Sequence, residues 1–369
     1  MKTIQKTLLD LNPKYPLEEL SPIDKILFFD IETTGFSSKS SSLYLIGCLF
    51  YDLGNLTLIQ WFSEGYNDEL NVLEAFFSFS KNYNYLIHFN GNNFDLPYLQ
   101  QKFHQYNLPY NFDQFKGTDI YKRIAPFKSF LKLPNCKQKT LETYLNMKRE
   151  DMFNGGELIS VYHDYVKSPN DISYQSLLLH NEEDLIGMLE ILPVLAYVDL
   201  FNKPLTVKKV QANYYKDFNG DKHQEIIMKL RLPVALPVAI SNYAFGCFFS
   251  GLGYEGTIKV PLIEDELKYF YSNYRDYYYL PLEDVALHKS VAAFVDKEHR
   301  KQATAATCYT RKFASYLPQW EILFEPFFKK DYKSNDLYFE LTDDLKKERN
   351  IFSKYATHIL QVIATKSCL

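Results

Sequence analysis

Apolar residues in the first half of the chain fall into short, bounded runs. Ile26–Ile31 (ILFFDI) is almost wholly apolar and ends in polar residues, as a buried central strand does. Leu43–Tyr51 and Leu56–Phe62 follow, joined through the turn signal DLGN at 52–55, so the three runs predict an antiparallel meander. From Asp68 to Asn82 the period lengthens, and Leu70, Leu73, Phe76 and Phe77 share one helical face. Tyr85–Phe89 predicts a fourth strand and Leu96–Tyr106 a second helix. This order opens a mixed α/β sheet.

From Thr118 to about Val198 the signals are mostly helical, broken at Pro126, Pro134, Gly155–Gly156 and Pro169. The last helix starts near Ile172 and runs through Leu177, His180, Asp184 and Met188. The pattern changes around Phe201–Pro204, which sets a domain boundary: a lead-in at 1–23, a first domain at 24–200 and an α+β domain at 201–369. The second domain opens with strands at Val207–Tyr215 and Gln224–Leu230 around an Asn-Gly turn at 219–220. Further on come an aromatic cluster, Tyr269–Tyr279, and a helix predicted from Leu282 to about Thr307.

Composition changes this picture little. Apolar residues make up 46% and charged residues 23%, so each half can bury a core. Net charge is −4, but residues 1–200 carry −8 and residues 201–369 carry +4. An acidic first half suits collection of divalent cations, and a basic second half suits a polyanion. The aromatic share of 17% is high, through codon bias or through rings that stack bases. Five scattered cysteines without C-x-x-C spacing imply a reducing compartment and no zinc site, and the start lacks a signal peptide's apolar core. Leu185–Val198 is too short to span a bilayer and carries Glu190. The expectation is a cytoplasmic protein without membrane partners.

Three places offer carboxylates on separate elements. Asp30 and Glu32 end the first strand two residues apart and so share one face, with Ile31 turned into the core. Asp95 closes Asn90-Gly91-Asn92-Asn93-Phe94-Asp95, where the fourth strand gives way to a helix. His180 and Asp184 lie one helical turn apart. Each alone has a plain structural reading: a solvated strand end, a helix cap, a local hydrogen-bonded pair. Together they form an oxygen-rich set on rigid elements, which suits Mg²⁺ and phosphodiester hydrolysis. Asp119 reads as a helix cap, His88 as a hydrogen-bonded core histidine, and His163–Asp164 as a helix end without an evident partner.

FDIETTG, NGNNFDLPYL and HNEEDLIGM resemble the three motifs of the DEDD exonuclease superfamily, and most nearly those of the YprB-like ribonuclease H-like family. LPNCKQKTLETYLNMKREDMFNGGELISVYHDY resembles that family's linking region, and the resemblance covers roughly residues 24–198. It implies a mixed five-stranded ribonuclease H-like sheet flanked by helices and a 3′→5′ exonuclease using two Mg²⁺ or Mn²⁺ ions. Carried over position by position, Asp30, Glu32, Asp95 and Asp184 would hold the metals. His180 would stand where the superfamily orients or deprotonates the attacking water, a task suited to imidazole near neutral pH. One departure is the spacing: three residues separate His180 from Asp184, as in the tyrosine subclass, where the histidine subclass has four. Asn90 and Phe94 resemble positions lining the path of the terminal nucleotide, and Thr33, Thr34 and Gly35 could meet its sugar. Glu182 and Glu183 are assigned to the other helix face or to an outer-shell role.

Between 285 and 312 stand six cations, Lys289, Lys297, Arg300, Lys301, Arg311 and Lys312, with two histidines and two acids. Beside Tyr277–Tyr279 and Tyr309 they form a candidate nucleic-acid contact, single-stranded or with a free 3′ end. The alternative to that contact is a solvated helix face. The alternatives to the exonuclease are a scaffold that grips nucleic acid without cutting and a structure-specific endonuclease. DNA or RNA, protein partners and oligomeric state are not fixed by the sequence.

Overall fold

The computed structural model describes residues 1–9, 11–147 and 155–367; residues 148–154 of the linking-region resemblance, and Cys368, lie outside the described residues. Two compact units emerge: Met1–Val198 with Leu236–Val238, and Asp199–Ala235 with Ala239–Leu369.

In the first unit the strands are β1 (Lys2–Leu8), β2 (Ile26–Thr33), β3 (Leu43–Asp52), β4 (Asn55–Phe62), β5 (Tyr85–His88) and β6 (Lys116–Asp119). They form one sheet in the order β1-β4-β3-β2-β5-β6. β2, β3, β4 and β1 pair antiparallel, whereas β5 and β6 extend the sheet in parallel from β2. The meander closes at Leu53 and Gly54, whose φ values of 49° and 83° give the doubly positive turn a two-residue hairpin favours.

Alternation along β2 positions the site. Leu27, Phe29 and Ile31 enter one apolar cluster with Val72, Phe76 and Phe77 of α1 (Glu69–Ser80) and Leu99 and Phe103 of α2 (Asp95–Gln105). Asp30 and Glu32 therefore face the other layer. There Tyr44, Leu45 and Phe62 pack against α5 (Gly155–Lys167) and α6 (Asp171–Ile191). Shorter helices α3 (Ile120–Ile124) and α4 (Gln138–Tyr144) complete the helical layers, and α7 (Ala196–Asn202) carries the chain across the boundary at Val198.

The sheet has six strands rather than the expected five, because part of the lead-in is strand β1. Its sequence, KTIQKTL, shows no apolar face and its residues are mostly exposed. Main-chain pairing to β4, from Lys2 opposite Phe62 to Leu8 opposite Leu56, makes the strand. Hydrophobic periodicity cannot reveal such an edge.

The second unit is β-rich. A six-stranded sheet runs β14-β15-β13-β9-β8-β7. Its members are β7 (Thr206–Lys216), β8 (Lys222–Ala244), β9 (Cys247–Phe270), β13 (Tyr309–Gln319), β14 (Phe327–Phe328) and β15 (Leu337–Glu340). The Asn-Gly turn is present, with Gly220 at φ 89°, but β8 continues well past Leu230. Short α9 (Asp343–Lys347) precedes α10 (Arg349–Ser367), which buries Phe352, Tyr355, Ile359 and Ile363.

The helix expected at 282–307 does not form. That stretch holds β11 (Val285–His288), the four-residue α8 (Lys289–Ala292) and β12 (Lys301–Gln302), and β11 and β12 both pair with β10 (Tyr277–Leu280). Asp284 sits at φ 50°, outside helical space, and its carboxylate accepts the hydroxyls of Tyr279 and Tyr309. Cross-strand pairing with a tyrosine-rich strand overrides the local helical spacing.

Candidate active site

β2 delivers Asp30 and Glu32 to the α6 face, and a register shift between Glu32 and Thr33 ends its regular pairing with β3. Asp30 lies opposite Gly47, which in turn lies opposite Gln60, so a polar row crosses three strands. Asn181 of α6 covers the row. Its Nδ2 donates to Asp30 Oδ2 at 3.0 Å, and its Oδ1 accepts from Gln60 Nε2 at 3.0 Å. Gln60 Nε2 also donates to the Leu178 carbonyl at 2.9 Å. A Cβ on Gly47 would lie 1.9 Å from Asn181 Oδ1, so only glycine leaves room for the amide.

The loop before α2 is held from below. Asn90 takes a φ of 61°, a left-handed conformation that asparagine tolerates. Asp119 accepts the backbone N–H of Asn90 at 3.0 Å and of Asn92 at 3.1 Å, and caps α3 through Lys122 N at 3.1 Å. His88, buried as expected, accepts from Gly91 N at 3.2 Å, and burial lowers its pKa to about 4. These anchors place Asp95 in the first turn of α2, where it is buried.

α6, capped by Asn170 through Ser173 N at 2.8 Å, brings the third set. His180 Nε2 lies 3.7 Å from Glu32 Oε1 and 3.4 Å from Asp184 Oδ2. One ligand atom from each of Glu32, His180 and Asp184 fits within 4.8 Å of the others.

Electrostatics join all four carboxylates. Burial pushes Asp30 well above the usual carboxylate range, and the charges of Glu32, Asp95 and Asp184 add to it, while the Asn181 amide works the other way. Asp95 is pushed up to about 7, chiefly by burial, against backbone N–H donors at Asp95 and Ile31. Like charges gathered in a poorly solvated place call for positive charge. An all-oxygen carboxylate set with an adjacent imidazole fits a hard divalent cation such as Mg²⁺ or Mn²⁺.

The softer assignments land variously. Thr33 Oγ1 donates to the Gly35 carbonyl at 2.9 Å, and Thr34 N donates to the Ser42 carbonyl at 2.8 Å, so both threonines close the loop. That loop is tied to α2 by buried Lys102, which donates to the Ser41 carbonyl at 2.6 Å and pairs with Glu69 at 2.8 Å. Phe94 meets the exposed Phe36 edge-on at 6.1 Å. Glu182 is held by Lys6 rather than joining the acidic cluster. His163 has a partner, the Tyr66 hydroxyl.

The candidate cations of 285–312 do not stand on one helix, and Lys289 and Arg300 both meet the Tyr278 ring. Lys289, Lys297 and Lys301 lie on α8, a short helical turn and β12. Arg300 lies over the Tyr278 ring at 4.8 Å and donates to the Ala292 carbonyl. Arg311 pairs with Glu266 and Asp284, and Lys312 with Glu340 at 2.6 Å.

Sequence reasoning missed Gly47, Gln60 and Asn181. Gln60 was visible as the one amide in the largely apolar run LTLIQWF, and Asn181 as the neighbour of His180.

Among curated proteins nothing matches the chain. Among solved structures, the family B DNA polymerase of the hyperthermophilic archaeon Pyrobaculum calidifontis is similar at 13% identity and a TM-score of 0.37, covering 68% of this chain and 35% of that one. The zinc-bound E. coli exonuclease I–ssDNA complex matches at 13% identity and a TM-score of 0.27, covering 56% and 54%. E. coli exonuclease I with a dT13 oligonucleotide matches at 9% identity and a TM-score of 0.29, covering 56% and 54%. The chain thus spans about a third to a half of the length of these structures. Residues 27–196 match the family model RNase_H_2 of the RNase_H superfamily, and the fold of this unit is ribonuclease H-like.

Proposed function

We propose that the first unit is a metal-dependent 3′→5′ exonuclease of the YprB-like type, hydrolysing phosphodiester bonds of DNA or RNA. The ribonuclease H-like fold and its acidic cluster support nuclease chemistry in general. The observation that carries the finer reading is the convergence of β2, the start of α2 and the middle of α6 on one place. There Glu32, His180 and Asp184 can share a ligand, and Asp30 feels the charge of the other three carboxylates.

In this reading Asp30, Glu32, Asp95 and Asp184 hold two Mg²⁺ or Mn²⁺ ions. When bound, such ions neutralise charge at phosphorus and favour a hydroxide nucleophile at neutral pH. Asn181 fixes the orientation of Asp30, supported by Gln60, so the carboxylate need not reorganise during the reaction. His180 accepts the proton of the attacking water, its Nε2 lying beside both Glu32 and Asp184.

A second reading has one observation in its favour. His180 is buried against Glu32 and Asp184, as a structural residue would be in a scaffold that binds without cutting. Digestion of end-labelled single-stranded DNA and RNA with Mn²⁺ or EDTA, beside Asp184→Ala, separates the two. Mononucleotides released from the 3′ end, dependent on metal and lost in the variant, are expected. Binding without cleavage in any metal would install the scaffold instead, and internal fragments would indicate an endonuclease.

A further inference from the structure

The second unit carries a cationic surface on a different element from the one the sequence suggested. A cavity of about 860 Å³ is bounded by β7, by both halves of β8 and by residues 250–257 of β9. Lys208, Lys229 and Arg231 line it, together with the hydroxyls of Ser241, Ser250 and Thr257. Lys229 Nζ donates to Thr257 Oγ1 at 3.1 Å, and the Arg231 guanidinium lies 4.3 Å over the Tyr254 ring, which is 46% exposed.

The register sharpens the case. Lys209 stands directly opposite Lys229, with a bulge at Val207–Lys209 that adds Lys208 beside the pair. Like charges facing each other across two strands destabilise a sheet. Packing does not require this pair, since Lys208, Lys209, Lys229 and Arg231 are all exposed. Glu255 is the carboxylate that lines the same cavity. On the segment 285–312, by contrast, Arg311 and Lys312 are matched by acids.

We propose that the β7–β8–β9 face of the second unit docks a single-stranded polynucleotide, its phosphates on Lys208, Lys229 and Arg231 and a base on Tyr254. This rests on the reading that the chain acts on nucleic acid. Charge complementarity names a polyanion, and the exposed ring backed by a guanidinium names an unpaired strand. A duplex keeps its bases turned inward and cannot use that stacking face.

The test is fluorescence anisotropy of the full chain with labelled oligothymidylate in EDTA, over a salt series, beside a duplex of equal length. Hydrolysis of a dinucleotide in Mn²⁺ is followed in parallel. The variant Lys208→Gln/Lys229→Gln/Arg231→Gln is expected to bind about tenfold or more weakly, with the slope of log K against log salt reduced by about 2, near 0.7 for each lost phosphate contact. Its dinucleotide hydrolysis should match the unmodified chain, which shows that the fold is intact. Unchanged affinity and slope would overturn the surface, as would tighter binding of the duplex, or a larger loss from Lys289→Gln/Lys297→Gln/Lys301→Gln. An unmodified chain that binds the strand but hydrolyses nothing would sink the exonuclease and leave this surface standing.

Discussion

The two units each gather like charges, and they do so in opposite ways. In the first, Asp30, Glu32, Asp95 and Asp184 are brought together by three elements, and all but the partly exposed Asp184 are withdrawn from water. In the second, Lys208, Lys209, Lys229 and Arg231 stand on adjacent strands in solvent. Burial penalises the charged forms of the first cluster and is the main reason Asp95 is pushed up to about 7, with the nearby charges of Asp119 and Asp184 adding to it. Water and salt screen the second, so its repulsion is small and its attraction for a polyanion depends on ionic strength. A buried cluster can fix small ions in one geometry, whereas an exposed one can hold a long strand in many registers.

Breaking the buried cluster has the largest effect. Asp30→Ala or Asp184→Ala should lower hydrolysis by about 10³-fold, the scale of removing one preorganised charge-stabilising group, with an unchanged circular dichroism spectrum. A fully active Asp30→Ala/Glu32→Ala double variant would end the metal assignment. Asn181→Leu keeps every carboxylate but frees Asp30 to turn. Activity should fall about 10–100-fold, and Mn²⁺ affinity measured by calorimetry should fall with it. If activity fell while Mn²⁺ affinity held, Asn181 would have no role in orienting a ligand.

Gly47→Ala tests the same network from beneath. The added Cβ would strike Asn181 Oδ1, so urea midpoints should report a loss of about 1–3 kcal/mol, and an unchanged midpoint would mean that the amide is free to move.

A pH series on the metal-free chain follows from burial. Asp95 and Asp30 have pKa values raised in the folded state, so their contribution is complete below the ordinary carboxylate value of 3.8 and is lost as pH rises, for Asp95 through about 7. His88, lowered to about 4, acts oppositely, but only below its ordinary value of 6.5. Between about pH 6.5 and 8 the melting temperature should therefore fall by about 2–4 °C, and Mn²⁺ should cancel the fall. A flat profile without metal would show that the carboxylates are better solvated than the fold implies.

The smallest effect belongs to the exposed cluster. Lys229→Glu turns the repulsive pair with Lys209 into an attractive one and should raise stability by about 0.2–1 kcal/mol while weakening strand binding. A loss of stability would show that Lys229 holds the sheet through Thr257.

Much of the first unit was legible because its signals are local. ILFFDI, the meander, the α1 face and the capped α6 all read from period and turn chemistry, and the strand period alone placed Asp30 and Glu32 together. β1 and the 277–302 sheet were not legible, since main-chain pairing and the Asp284 turn are long-range facts. No helix among the described residues is long and apolar enough to cross a membrane.

By itself the sequence determined the carboxylates, the elements that bear them and the alternation that turns Asp30 and Glu32 one way. These follow from covalent geometry and from the 2.0 and 3.6 periods of strand and helix. Tertiary structure alone decided that Gly47 would make room for Asn181, that Gln60 would reach it, and that Lys209 would face Lys229. Those are contacts between residues remote in the chain, set by register and packing, and no local pattern carries them.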